Sequence, residues 1–244
     1  MERRSPGGTI AASGGDGGGV EAPVAAATGD GGFGVAWIKG ASLHVASYDA
    51  LGQHEGSTRL DLGCDITLDR SQQPAIATAG EGVVVAAILR AEDDGSSVIA
   101  VRTVGHGGDG VREQMSLDIE AAGRVADLDI SGSSAANGRI TVAWVEPASD
   151  ESGDAGTVMV QRLEIHDGNL AKSRRGGSDC ESGSSAEILG SGRAPNVTET
   201  ADGGFALAWI AAANSDTADA AATIEGRIFS DAGVLLHSFV HSLG

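Results

Sequence analysis

One short phrase recurs four times along this 244-residue chain. It reads Gly32-Phe-Gly-Val-Ala-Trp-Ile38, Gly82-Val-Val-Val-Ala-Ala-Ile88, Arg139-Ile-Thr-Val-Ala-Trp-Val145 and Gly204-Phe-Ala-Leu-Ala-Trp-Ile210. The sixth positions, Trp37, Ala87, Trp144 and Trp209, lie 50, 57 and 65 residues apart. A unit of that size is too small to bury a core alone, so the repeat predicts an array whose neighbouring units complete one another. Period two divides the phrase into two faces. One carries Phe33, Val35 and Trp37 with their counterparts, and the other carries Gly34, Ala36 and Ile38 with theirs. Both faces are apolar, which predicts a strand sandwiched between two layers. One face is large and the other mostly small, so adjacent sheets can interdigitate.

Each phrase is flanked by further strand patterns. A first strand is expected at 23–28, 74–78, 125–130 and 195–200, and Pro at its start is tolerated there because the missing N–H lies at the strand end. Tight turns follow at Gly29-Asp-Gly-Gly32, Gly80-Glu-Gly82, Ala136-Asn-Gly138 and Ala201-Asp-Gly-Gly204, since Asp-Gly and Asn-Gly suit hairpins that need positive φ. A third strand is expected at 42–48, 97–103, 157–165 and 222–229, and a weaker fourth is clearest at 234–240. Helical periodicity is absent. Four antiparallel strands per unit, with the second buried on both faces, predict an all-β, propeller-like array of four four-stranded blades. The units are 22–72, 73–123, 124–193 and 194–244, forming one repeat domain over 21–244. Residues 1–20 read as a flexible, Gly-rich segment with one short strand at Thr9–Ser13 that could complete the last blade and close the ring, removing exposed edges. Segments 146–156, 168–193 and 214–221 read as insertions that lengthen the repeat spacing.

Composition bounds the function classes. Aromatics are 3% of the chain, so the core must be built mainly from Val, Ile, Leu and Ala, with Phe33, Trp37, Trp144, Phe205 and Trp209 as its large members. The formal net charge of −18 repels nucleic acid and anionic membrane, and suits a divalent cation. The basic residues are 14 Arg and two Lys, a bias expected of a GC-rich bacterial coding sequence. Cys64 and Cys180 fall in different units and read as free thiols rather than a disulfide framework. No apolar run reaches the roughly 18–20 residues that cross a bilayer, and the N-terminus lacks a signal-peptide hydrophobic stretch. That leaves export without such a signal, a cytoplasmic location, or a piece of a longer protein.

The string Ala194-Pro-Asn-Val-Thr-Glu-Thr-Ala-Asp-Gly-Gly-Phe-Ala-Leu-Ala-Trp209, with Ile224-Glu-Gly-Arg-Ile-Phe-Ser-Asp-Ala-Gly233 after it, resembles a repeat found in tandem in large secreted, RTX-type, haemolysin-like calcium-binding proteins of bacteria. The first unit keeps Asp30-Gly-Gly-Phe33, Trp37 and Tyr48-Asp-Ala-Leu-Gly52, while Ala87 and Asn137-Gly-Arg-Ile140 depart from the pattern. The resemblance covers residues 22–242. It implies a propeller-like fold, a secreted or cell-surface location and bound Ca²⁺. The calcium nonapeptide itself does not recur, and Gly107-Gly-Asp-Gly110 is only a fragment of it.

The candidate chemistry is sparse. Asp30 and Asp202, in the Asp-Gly-Gly turns, could present carboxylates to Ca²⁺, although each turn offers one where the ion takes six to eight oxygens. Asp127 and Asp129 alternate on one strand, and Asp61 and Asp65 flank Cys64. Such pairs can do glycosidic acid–base work when held about 5–10 Å apart, but solvated strand edges are the plainer reading. The six histidines are scattered, and neither a nucleophile elbow nor a P-loop is present. The leading expectation is therefore a non-enzymatic interaction or adhesion scaffold with a protein or glycan partner. The alternatives are a carbohydrate-binding or glycoside-processing propeller and a calcium-stabilised module.

Overall fold

The structure, a computed structural model, describes residues 20–62, 66–80, 82–91, 96–107, 110–133, 138–148, 156–166, 169–172, 186–212 and 222–242. These residues form seventeen strands and no helix. The Thr9–Ser13 strand, both cysteines and the central parts of the three insertions lie outside the described residues.

The first sheet is an antiparallel meander of β1 (Val20–Ala27), β2 (Phe33–Lys39), β3 (Ser42–Tyr48) and β4 (His54–Arg59). The second contains β5 (Ile66–Leu68), β6 (Ala75–Ala79), β7 (Gly82–Ala91), β8 (Ser97–Gly107) and β9 (Gly110–Glu120). Both β5 and β6 pair with the same edge of β7, in tandem, at Leu89–Ala91 and Gly82–Ala86. The third sheet holds β10 (Ala126–Gly132), β11 (Arg139–Pro147), β12 (Gly156–His166), β13 (Asn169–Lys172), β14 (Glu187–Glu199), β15 (Phe205–Ala211), β16 (Thr223–Phe229) and β17 (Leu235–Ser242). All pairings are antiparallel, and the architecture is propeller-like.

Two sequence expectations need correction. The segment 66–68 was assigned to the first unit, yet it hydrogen-bonds into the second sheet as β5. The segment 168–193 was read as a polar insertion, yet its ends are β13 and the start of β14. β14 also joins the third and fourth units into one sheet. Its first half pairs with β12 at Gly156–Val160, and its second half pairs with β15 from Gly192 onward. Glycines at 190 and 192 permit this, because the Trp209 indole occupies the space a side chain would need; a Cβ at Gly190 would sit 3.0 Å from the ring.

The phrase strands β2, β7, β11 and β15 are central in their units and pack face to face. The small face of unit 1 (Ala36, Ile38, Leu43, Val45) covers Val83, Val85 and Ala87 of unit 2. A Cβ at Gly34 would come within 2.7 Å of Val83, so the smallest residue marks the closest approach. Unit 2 turns Val84, Ala86 and Ile88 onto Ile140, Val142 and Trp144 of unit 3. Unit 3 in turn places Ala143, Val145, Val158 and Val160 on Phe205, Leu207 and Trp209 of unit 4. Every interior boundary therefore joins the small face of one unit to the large face of the next.

The ring expected from a completed last blade depends on Thr9–Ser13, which lies outside the described residues. None of the extensive strand contacts joins unit 4 to unit 1, and β17 is exposed along its length. Trp144, Trp209 and Phe205 are accordingly buried, while Phe33 and Trp37, expected in the core, are only half-buried because no sheet among the described residues covers their face. Trp209→Ala should cost about 3–5 kcal/mol and Trp37→Ala clearly less. Urea denaturation of the two variants measures the difference.

Candidate functional site

The first strands of successive units touch: β1 packs on β6, β6 on β10 and β10 on β14. A strand that meets its counterparts in both neighbouring units lies on the concave side of the arc, where the units converge. They form no ladder with one another, and single cross-unit bonds join them. Thr78 Oγ1 donates to the Ala27 carbonyl at 2.8 Å, and the Gly80 N–H donates to the Ser133 carbonyl.

Between units 3 and 4 this task falls to acidic and hydroxyl side chains of β10. The N–H of Val197 (2.8 Å) and the Asn196 amide (3.1 Å) donate to Asp129 Oδ2. The Glu199 N–H donates to Ser131 Oγ at 2.7 Å, and the Ala194 N–H to Asp127 Oδ2 at 3.0 Å. The bulges in β10 and β14 align here, and both hold a non-glycine residue at positive φ: Asp127 at 48° and Ala194 at 49°. Such conformations cost about 1–3 kcal/mol each and recur at functional sites.

Glu199 stands at the far end of the seam. Residues 195 and 197 of β14 point into the protein and are buried, and Glu199 follows them on that face. Its Oε1 accepts from Thr141 Oγ1 at 2.8 Å, and Arg162 lies 3.7 Å from Oε2. Arg162 also donates to the carbonyls of Gly203 and Asp231, and its guanidinium stands 5.4 Å over the Phe205 ring. Arg139 pairs with Asp231 and, at 3.5 Å, with Glu164. Desolvation raises the pKa of Glu199 against the lowering effect of Thr141 and the two arginines. Desolvation likewise raises that of Asp129, outweighing its backbone donors. Along β14, the Val197 N–H that holds Asp129 and the Glu199 N–H that holds Ser131 are two residues, or about 7 Å, apart by strand rise. Along the seam, then, stand two carboxyls that protonate more readily than usual, Asp129 held by the β14 backbone and Glu199 beside Thr141 and Arg162.

The residues singled out from sequence fare differently. In the turns, Thr28 Oγ1 donates to Asp30 Oδ1 and Thr200 Oγ1 to Asp202 Oδ1, both at 2.5 Å. Each carboxylate closes its own turn, and Thr200 heads the hydrogen bonds that hold the Asp202 carboxyl below its usual range. The two lie in different units, and no group of three or more His, Cys, Asp or Glu is placed to hold a metal among the described residues. Asp127 and Asp129 are not a solvated edge as a pair: Asp127 is exposed, but Asp129 is withdrawn into the seam. Asp65 lies outside the described residues. Glu199 and Arg162 went unnoticed in the sequence. The available signal was a lone acid on the inward period of β14, where units 1 and 2 carry Ala27 and Thr78 at the equivalent register.

The raised pKa of Asp129 has a pH signature. The unfolded chain ionises near the ordinary 3.8 while the folded chain still holds the proton, so folding loses stability as pH rises from about that value through the folded pKa, then levels off. Asp129→Asn should remove that loss, so the variant gains on the parent as pH rises through this window. Paired denaturation curves between pH 3 and 8 measure it.

No family model matches the chain, and no curated protein matches it. Among solved structures it resembles the GH93 α-L-arabinofuranosidase of Fusarium graminearum, a β-propeller determined with arabinobiose, at 10% identity and a TM-score of 0.51. The likeness covers 91% of this chain but 66% of that one. At this identity it shows a shared fold. It also overturns the expectation of a chain without enzymatic character, which rested on the lack of a linear catalytic motif.

Proposed function

We propose that this chain is a carbohydrate-active propeller module that binds or processes a glycan at the inner-strand seam of units 3 and 4. The observation that carries this reading is the placement of Asp129 and Glu199, both with raised pKa, across one unit boundary of a fold shared with a glycoside hydrolase. Glycoside hydrolysis needs one carboxyl kept protonated near neutral pH and a second about 5–9.5 Å away. Glu199, whose burial outweighs the lowering effect of Thr141 and Arg162 and so keeps its carboxyl more easily protonated, is the residue assigned to proton transfer. Asp129 supplies the second carboxylate, and Asp127, exposed beside it, offers a hydrogen-bond acceptor to sugar hydroxyls. The arabinobiose held by the neighbour supports arabinose-containing oligosaccharides as the first substrates to try.

Calorimetric titration with arabino-oligosaccharides and a glycan array, together with an aryl α-L-arabinofuranoside turnover assay, test the proposal. Binding to one sugar class is expected, with any turnover falling at least a hundredfold in Glu199→Gln while binding persists. Absence of both binding and turnover across the panel would sink the reading.

A further inference from the structure

Every boundary inside this chain pairs a small face with a large one, and the two ends of the arc expose the unused halves of that pairing. At the first unit the open face is the large one. Phe33 stacks on Tyr48 at 4.8 Å and 7°, and Trp37 stacks on His44 at 5.6 Å and 14°. Between the two ring pairs Val35 and Ala46 form the floor. The same positions exist in unit 4, where they are covered. Phe205 stacks on Phe229 at 4.6 Å and 11°, in the register of Phe33 and Tyr48, and Trp209 stands where Trp37 does. There the Ala143 and Val145 face of unit 3 closes over them. The aromatic face of unit 1 is thus built as a unit boundary that lacks a partner sheet among the described residues.

At the last unit the open face is the small one. Ala206, Ala208 and Ile210 are half-exposed, although their counterparts Ala36 and Ile38 in unit 1 are buried. Ile224 and Ile228 flank them from β16, and the Phe239 ring covers Gly226, leaving no room for a side chain there. Leu235, Leu236 and Val240 are exposed large apolar residues of the adjoining β17.

We infer that the two open faces bind each other between copies of this chain, head to tail, the Ala208 face of one copy seating on the Trp37 face of the next. The occupant is a second copy because each copy carries both halves of a boundary that it already uses three times internally. Such a contact is heterologous, so its product is a ring or an open series according to the rotation per unit. The likeness to the propeller neighbour spans 91% of this chain and 66% of that one, so two copies hold more than one such chain. A second copy therefore continues along the axis, and the expected product is an open series that grows with concentration. The contact leaves the carboxylate seam of units 3 and 4 uncovered, so its failure would not touch the glycan proposal.

Sedimentation velocity over a concentration series tests this with the full chain and two variants, Trp37→Arg and Ala208→Arg, each of which blocks one face. Both side chains lie on open faces, so circular dichroism should keep its β signature. The parent chain should associate with rising concentration, and each variant alone should raise the dissociation constant at least tenfold. An equimolar mixture should form a dimer and stop there, because one good large face then meets one good small face. A parent chain that stays monomeric overturns the inference and means that some other occupant completes the faces. Variants that associate as the parent does, or a mixture that stays monomeric, overturn it equally.

Discussion

The size difference between the two faces of one strand is the constraint on which the structure depends. A strand buried on both sides must be apolar on both, but two large faces would not approach closely enough to pack. Gly34, Ala36, Ala86 and Ala143 let a neighbouring sheet come near, and Trp144 and Trp209 fill the space that approach defines. Interior packing at near-crystalline density needs this complementarity. It also gives the array a direction, since the small face always looks toward the next unit. Where the second unit has Ala87 in the tryptophan position, Leu43, Val45 and Leu60 of the first unit belong to the same cluster and make up the volume.

The same stacking creates a difficulty at the concave side. The first strands of neighbouring units meet there without forming a ladder, and unpaired backbone donors in such a place are costly. Asp129, Ser131 and Asp127 answer it by accepting from the backbone of β14. The arrangement has a chemical consequence, because partial burial of a carboxylate raises its pKa unless charge or enough donors compensate. At Asp69 they do: burial pushes its carboxyl up, but Ser71 and a close Arg90 outweigh that and leave it lowered. At Asp129 and Glu199 they do not. A group that holds two units together is thereby left more easily protonated than an exposed carboxyl.

Much of the fold was legible. The second strands and β3 stand where period two put them, because sandwiching dictates which residue types can occupy both faces. The turns were equally readable, since the Thr-x-Asp-x-Gly sequence closes on itself by local hydrogen bonds. Less legible were β5, the ends of the long insertion and the continuity of β14, because a very short or mixed-polarity strand is specified by the edge it pairs with and not by its own pattern. The seam was hardest. Asp129 reads as half of an alternating pair, and nothing local tells it from a solvated strand; only β14 lying beside it withdraws it from water.

The sequence by itself determined the repeat, the strand-rich class and the inequality of the two faces, because these follow from residue size and from a period that every unit shares. Tertiary structure alone decided which faces found partners. Trp37 and Trp209 occupy the same place in the same phrase, yet one is half-buried and the other enclosed. The physical reason is that burial belongs to a pair of surfaces, and a repeat unit specifies only one of the two.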